Sequence, residues 1–114
     1  MNREIKFRAW LKADKKMFRV DGIRFRGGWV SLPTWGDDED YNDFLLKDVE
    51  LMQFTGLKDK NGKEIYERDV ARWDRKNKIN IALVEDVRDW AGQYNSKEWE
   101  VIGNIYENPE LLNL

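Results

Sequence analysis

Residues 51–69, Leu-Met-Gln-Phe-Thr-Gly-Leu-Lys-Asp-Lys-Asn-Gly-Lys-Glu-Ile-Tyr-Glu-Arg-Asp, constrain the fold more than any other part of the chain. At their centre stands Asn61-Gly62, flanked on both sides by residues that suit strands. An Asn-Gly pair in that setting is a hairpin signal. A type I′ turn needs positive φ at both central residues, and Asn and Gly tolerate it best. The sequence therefore predicts a strand over residues 49–54, a type I′ turn at Asn61-Gly62, and strand again at Ile65-Tyr66 and over residues 70–73.

The same grammar of short strands and frequent turns runs through the rest. Ile5, Phe7, Ala9 and Leu11 alternate with Glu4, Lys6, Arg8 and Trp10, and period two argues a half-buried strand. Residues 12–16 suit a turn, residues 17–20 a second strand, and residues 23–26 a third. Gly27-Gly28 predicts a tight turn before a strand at residues 29–32. Residues 33–43 hold no periodicity and read as a loop, with a short helical turn possible around residues 41–46. Residues 79–84 and 99–102 are strand-like, residues 86–93 fit either period, and Gly103 permits a bulge or close packing. Asn108-Pro109 resembles a helix start of barely one turn. The fold class is mainly β (β-rich α+β), opening on an N-terminal meander. A chain of 114 residues makes one domain, with possible lobes at 1–48 and 49–114 joined by the acidic loop 36–43.

What is missing narrows function. There is no Cys and no His, which removes disulfides, thiolate metal sites, the commonest general base and the commonest zinc ligand. Neither a membrane span nor a secretory core is visible, so a soluble, cytoplasmic protein is expected. Paired carboxylates can act without His. Glu64, Glu67 and Asp69 are close in sequence, but no nucleophile, metal set or phosphate loop accompanies them. Turn chemistry and cross-strand pairing are their expected roles, and neither an enzyme nor a cofactor is expected. Asp37, Asp38, Glu39, Asp40, Asn42 and Asp43 offer oxygen ligands, yet lack EF-hand spacing. A solvated loop is the expectation there.

Charge is segregated. Residues 1–26 carry net +6, residues 37–50 net −6, residues 58–78 net +3 and residues 85–110 net −5. Such blocks can build a basic face for an anionic partner or complementary faces for self-association. They can equally pair across neighbouring strands on a solvated sheet.

Residues 1–10, the run Phe54-Thr55-Gly56-Leu57-Lys58-Asp59-Lys60-Asn61-Gly62-Lys63-Glu64-Ile65-Tyr66, and Val101-Ile102-Gly103-Asn104-Ile105-Tyr106-Glu107-Asn108-Pro109-Glu110-Leu111-Leu112 together resemble the YopX family. These are small proteins of phages and prophages, mostly of Gram-positive bacteria. The resemblance implies a β-rich fold with a small SH3-like, barrel-type portion in the C-terminal half, and is compatible with self-association. It brings no catalytic residues. One departure stands out: the family pattern after the Ile-Tyr pair usually reads Glu-Gly-Asp, whereas this chain has Glu67-Arg68-Asp69. If that Gly holds a positive φ, Arg68 is strained by about 1 kcal/mol or more.

The remaining lead is the basic N-terminus interleaved with Phe7, Trp10, Phe18, Phe25 and Trp29. Lys6, Arg8, Trp10, Arg24 and Arg26 form a candidate face for an anionic partner, with Trp10 as the expected exposed ring. The bland alternative places the rings in the core with the cations flanking it. Two functions are in view. The first is a protein-interaction or self-assembling accessory module, docking onto a host or phage protein or onto its own copies. The second is a nucleic-acid-binding accessory protein, with charges on phosphates and rings on bases.

Overall fold

The computed structural model describes residues 4–33, 42–85 and 96–112. The acidic run at 37–40 and the ambiguous segment 86–93 lie outside the described residues. The chain is mainly β, as the alternation predicted. It divides into two compact units, Lys6–Met52 and Met1–Ile5 with Gln53–Leu114.

The Lys6–Met52 unit contains β1 (Phe7–Leu11), β2 (Lys16–Arg19), β3 (Gly22–Arg24), β4 (Trp29–Leu32), β5 (Asn42–Leu45), a 3-10 turn at Leu46–Asp48, and the start of β6 (Val49–Lys58). Strand β1 pairs antiparallel with β2, setting Ala9 opposite Phe18, and borders β6 on its other side. Strands β3, β4 and β5 form an antiparallel sheet with Val30 opposite both Ile23 and Phe44. Alternation sends Ala9, Leu11, Val30, Leu32 and Val49 into one buried cluster, ringed by Phe18, Val20, Ile23, Phe44, Leu46 and Leu51. Burying each of the larger aliphatic side chains contributes about 1.5–3 kcal/mol.

The second unit carries the rest of β6, then β7 (Glu64–Tyr66), β8 (Asp69–Arg75), β9 (Lys78–Leu83) and β10 (Glu100–Asn104), with 3-10 turns at Ser96–Glu98 and Pro109–Leu112. Its main sheet is antiparallel in the order β10-β8-β9. Ile65, Ala71, Val84, Trp99 and Val101 form its buried cluster, packed by Leu57, Trp73 and Ala82. Trp73 and Trp99 stack with centroids 5.8 Å apart. Of the two roles open to Gly103, the bulge is present as a register shift between Val101 and Gly103.

Three expectations change. Residues 42–45 are a strand and not part of a helical turn, because pairing with β4 buries Phe44 against the core and outweighs the local helical spacing. The chain passes from one unit to the other inside β6, between Met52 and Gln53, and not at the acidic loop. The turn at Asn61-Gly62 is not type I′. Of that pair only Gly62 has positive φ (83°), and Gly62 N–H donates to Asp59 O at 3.0 Å. Asp59 Oδ1 takes the N–H groups of Asn61 (2.8 Å) and Lys63 (2.9 Å). That carboxylate winds Lys60-Asn61 as an ordinary turn, and Gly62 closes a three-residue loop.

Candidate interaction surface

The side chains of the best-matched motif are occupied with holding the chain together. Thr55 Oγ1 donates to Ile65 O at 2.7 Å and accepts from Leu57 N at 3.1 Å. Glu67 Oε1 accepts the N–H of Gln53 at 2.8 Å, and Asp69 Oδ2 that of Tyr66 at 2.8 Å. Glu64 lies opposite Lys58 across the β6–β7 ladder. Asn104 Oδ1 accepts from Tyr106 (3.0 Å) and Glu107 (2.9 Å). These buried or half-buried polar groups satisfy backbone donors that would otherwise be orphaned. Among the described residues no group of three or more carboxylates is placed to hold a metal, and no helix is long and apolar enough to cross a membrane.

The five residues singled out from the sequence separate into two groups. Arg8 and Trp10 stand on the face of β1 opposite the buried Ala9 and Leu11, and Lys6 immediately precedes that strand. All three are half-buried, and each already interacts within the chain. Arg8 lies directly across from Arg19, which is bridged to Asp21 at 2.9 Å. Arg24 and Arg26 are exposed on the β3–β4 hairpin. Arg24 points away from Ile23, which packs on the core, so it lies on the outer face of its own sheet. The structure thus places Arg8 and Trp10 on β1 with Lys6 just before it, and Arg24 at the end of β3 with Arg26 in the turn that follows.

Much of the basic block is answered locally. Arg24 Nη2 meets Asp43 Oδ2 at 3.3 Å, and Lys12 Nζ meets Glu50 Oε1 at 3.3 Å. Both pairs join the +6 segment to the −6 segment, Arg24 of β3 reaching past β4 to Asp43 of β5, and Lys12, just after β1, meeting Glu50 of β6. Exposed bridges of this kind add little stability, but they lower the field the N-terminal block would project alone.

Trp10 is not the exposed ring. Phe25 is 79% exposed and Trp29 37% exposed. Phe25 shares the apolar parity of Ile23 in the sequence, which suggests burial. The strand ends at Arg24, however, and the turn carries Phe25 off the core-facing side. Gly27 and Gly28 both hold positive φ, 91° and 72°. The Trp29 indole lies within about 3.3 Å of the position a Gly27 Cβ would take. The hairpin therefore exposes Phe25 and Trp29 along with Arg24, which lies across from Trp29, and Arg26.

The YopX protein family matches residues 6–113. The chain belongs to the YopX family. Among solved structures, the crystal structure of protein EF1440 from Enterococcus faecalis is similar at 27% identity, covering 97% of this chain and 99% of that one, with a TM-score of 0.60. None of the curated proteins matches. For a YopX-family protein the Arg68 departure now has a geometry: Arg68 sits at φ 71°. Its N–H donates to Val84 O at 2.7 Å and its carbonyl accepts from Ile105 N at 3.0 Å. The backbone at this position is held from both sides, which keeps an Arg in a conformation that favours Gly.

Proposed function

We propose that this YopX-family protein is a phage- or prophage-encoded accessory module of the bacterial cytoplasm that works by binding another protein, through the β3–β4 hairpin tip. The observation that carries the reading is one hairpin, β3–β4, that exposes two rings, Phe25 and Trp29, together with Arg24 and Arg26. Aromatic and Arg side chains are the groups that anchor protein interfaces, where a ring fills a pocket and the guanidinium finds a carboxylate at its rim. The partner surface fitting this tip is an apolar pocket edged by Asp or Glu. The residues of the family motif are engaged in backbone hydrogen bonds, which supports a scaffold role for them.

The second reading is single-stranded nucleic acid, favoured by cations alternating with rings at the same tip. The net charge of −2 and the pairing of Arg24 with Asp43 weigh against it.

The test is retention of partners by tagged protein from host cells, with and without nuclease, for the parent chain and for Phe25→Ser with Trp29→Ala. The expected result is a protein that survives nuclease and is lost with the double variant, while the melting temperature is unchanged. A partner lost with nuclease establishes the second reading. A partner kept by the double variant removes the tip from the interface.

A further inference from the structure

We infer that β9 is a self-pairing edge, joining two copies of the chain antiparallel through Ile79, Ile81 and Leu83. Every sheet that ends in an open strand risks pairing with another chain, and proteins blunt such edges with brevity, charge or bulges. Among the described residues the terminal strands of the three sheets are β2, β7, β10, β9, β3 and β5. Strands β3 and β7 are three residues long. Strand β2 has four residues with Lys16 and Arg19 at its ends, and β5 has four with Asp43 among them. Strand β10 is bulged between Val101 and Gly103.

Among the described residues, strand β9 lacks brevity, repeated charge and a bulge, although the Pro109–Leu112 turn packs against it. It is six residues long, Lys-Ile-Asn-Ile-Ala-Leu, with one charge, and its ladder with β8 runs without a register shift from Val70–Leu83 to Arg75–Lys78. Its composition is rich in residues that suit a pleated, half-buried surface. Ile79 is 60% exposed. Ile79, Ile81 and Leu83 share one face, opposite Asn80 and Ala82, and Ala82 packs on the core.

A second copy fits this edge because the pattern complements itself. Directly opposed residues in an antiparallel pair share a face, so a twofold axis must pass through a residue and not between two. Centred on Ile81, the pairing sets Ile81 against Ile81 of the second copy, Ile79 against Leu83, and Asn80 against Ala82. The apolar stripe then continues unbroken across the junction, and Lys78 faces Val84 instead of another cation. An interface of this size lies at the small end of specific contacts, so association is reversible and concentration-dependent.

The experiment uses the full chain. Because it contains no Cys, any disulfide formed by a single introduced Cys is between copies. Sedimentation equilibrium of the parent chain is expected to rise with concentration to twice the 13.7 kDa chain mass. Ile79→Lys is expected to weaken association at least about tenfold by setting a cation against Leu83 of the second copy, with an unchanged melting temperature because the site is exposed. Under mild oxidation Ile81→Cys crosslinks, whereas Asn80→Cys does not, since its copies lie diagonally across the pair and out of disulfide reach. A parent chain that stays at 13.7 kDa at every soluble concentration overturns the inference. So does a dimer untouched by Ile79→Lys, or one crosslinked only through Asn80→Cys. The hairpin-tip variant Phe25→Ser with Trp29→Ala leaves this dimer intact, so the two surfaces fail or hold separately.

Discussion

The carboxylate of Asp59 accepts the backbone N–H of Val101 at 2.9 Å, forty-two residues further along the chain. One side chain thereby closes the β6–β7 turn with Oδ1 and anchors β10 with Oδ2. Burial alone would raise its pKa. The N–H groups of Val101, Lys63 and Asn61, with the nearby Lys63 charge, more than offset that and hold it below the usual 3.8.

Asp59→Asn is nearly isosteric, but with Oδ1 kept on the turn its amide NH₂ would face the Val101 N–H, donor against donor. Loss of one charge-assisted bond and an unsatisfied donor should cost about 2–3 kcal/mol in urea unfolding at neutral pH. Because the folded pKa is depressed, the contribution of Asp59 is full above the unfolded value near 3.8. It is lost as pH falls through the lower folded value. The stability gap between parent and variant should therefore narrow on acidification through that window. A gap independent of pH would show that the charge is not what matters.

Arg68 at φ 71° carries a strain of about 1–2 kcal/mol that Gly would not. Gly costs about 0.5–1 kcal/mol more chain entropy on folding, and the Arg68 Nη1 contact to Glu85 O is long at 3.4 Å. Arg68→Gly should raise stability by about 0.5–1 kcal/mol, seen as a higher urea midpoint at constant slope. Arg68→Val, β-branched in the same conformation, should lower it by more than about 1 kcal/mol.

The type I′ geometry belongs to Lys76-Asn77, with φ of 51° and 66°, which join β8 to β9 as a two-residue loop. Lys76 is the poor fit there. Changing Lys76→Asn together with Asn77→Gly should stabilise the chain by about 1 kcal/mol. Conversely, Gly62→Ala should cost about 1 kcal/mol through its φ of 83° alone, because nothing lies within 4 Å of the added methyl. Thermal unfolding of both variants checks the pair of signs.

Gly103 is required for room. A Cβ there would come within 2.8 Å of Asn108 Cγ and 2.9 Å of a Leu111 methyl. Gly103→Ala must displace the Pro109–Leu112 turn, costing about 1–3 kcal/mol. Faster amide exchange should appear at Leu111, whose N–H donates to Asn108 O, before it appears in β8.

What the sequence by itself determined was the series of short strands and turns, the mainly β class, the buried face of β1 and the need for Gly at 103, while the strain at Arg68 came from the family resemblance. Period-two alternation and turn residues are local signals, and they act wherever the chain goes. The motif residues were also legible as scaffold, because Asp, Asn and Thr beside Gly speak of satisfied backbone. Only the tertiary structure decided which hairpin takes the I′ turn. The Asp59 carboxylate imposes another winding on Asn61-Gly62, while the unbroken β8–β9 ladder leaves two residues for Lys76-Asn77. It also turned residues 42–45 into a strand, and it withdrew Trp10 while exposing Phe25. Exposure depends on where a strand ends and what packs beside it. Those are properties of neighbours distant in sequence, which parity along one strand does not encode.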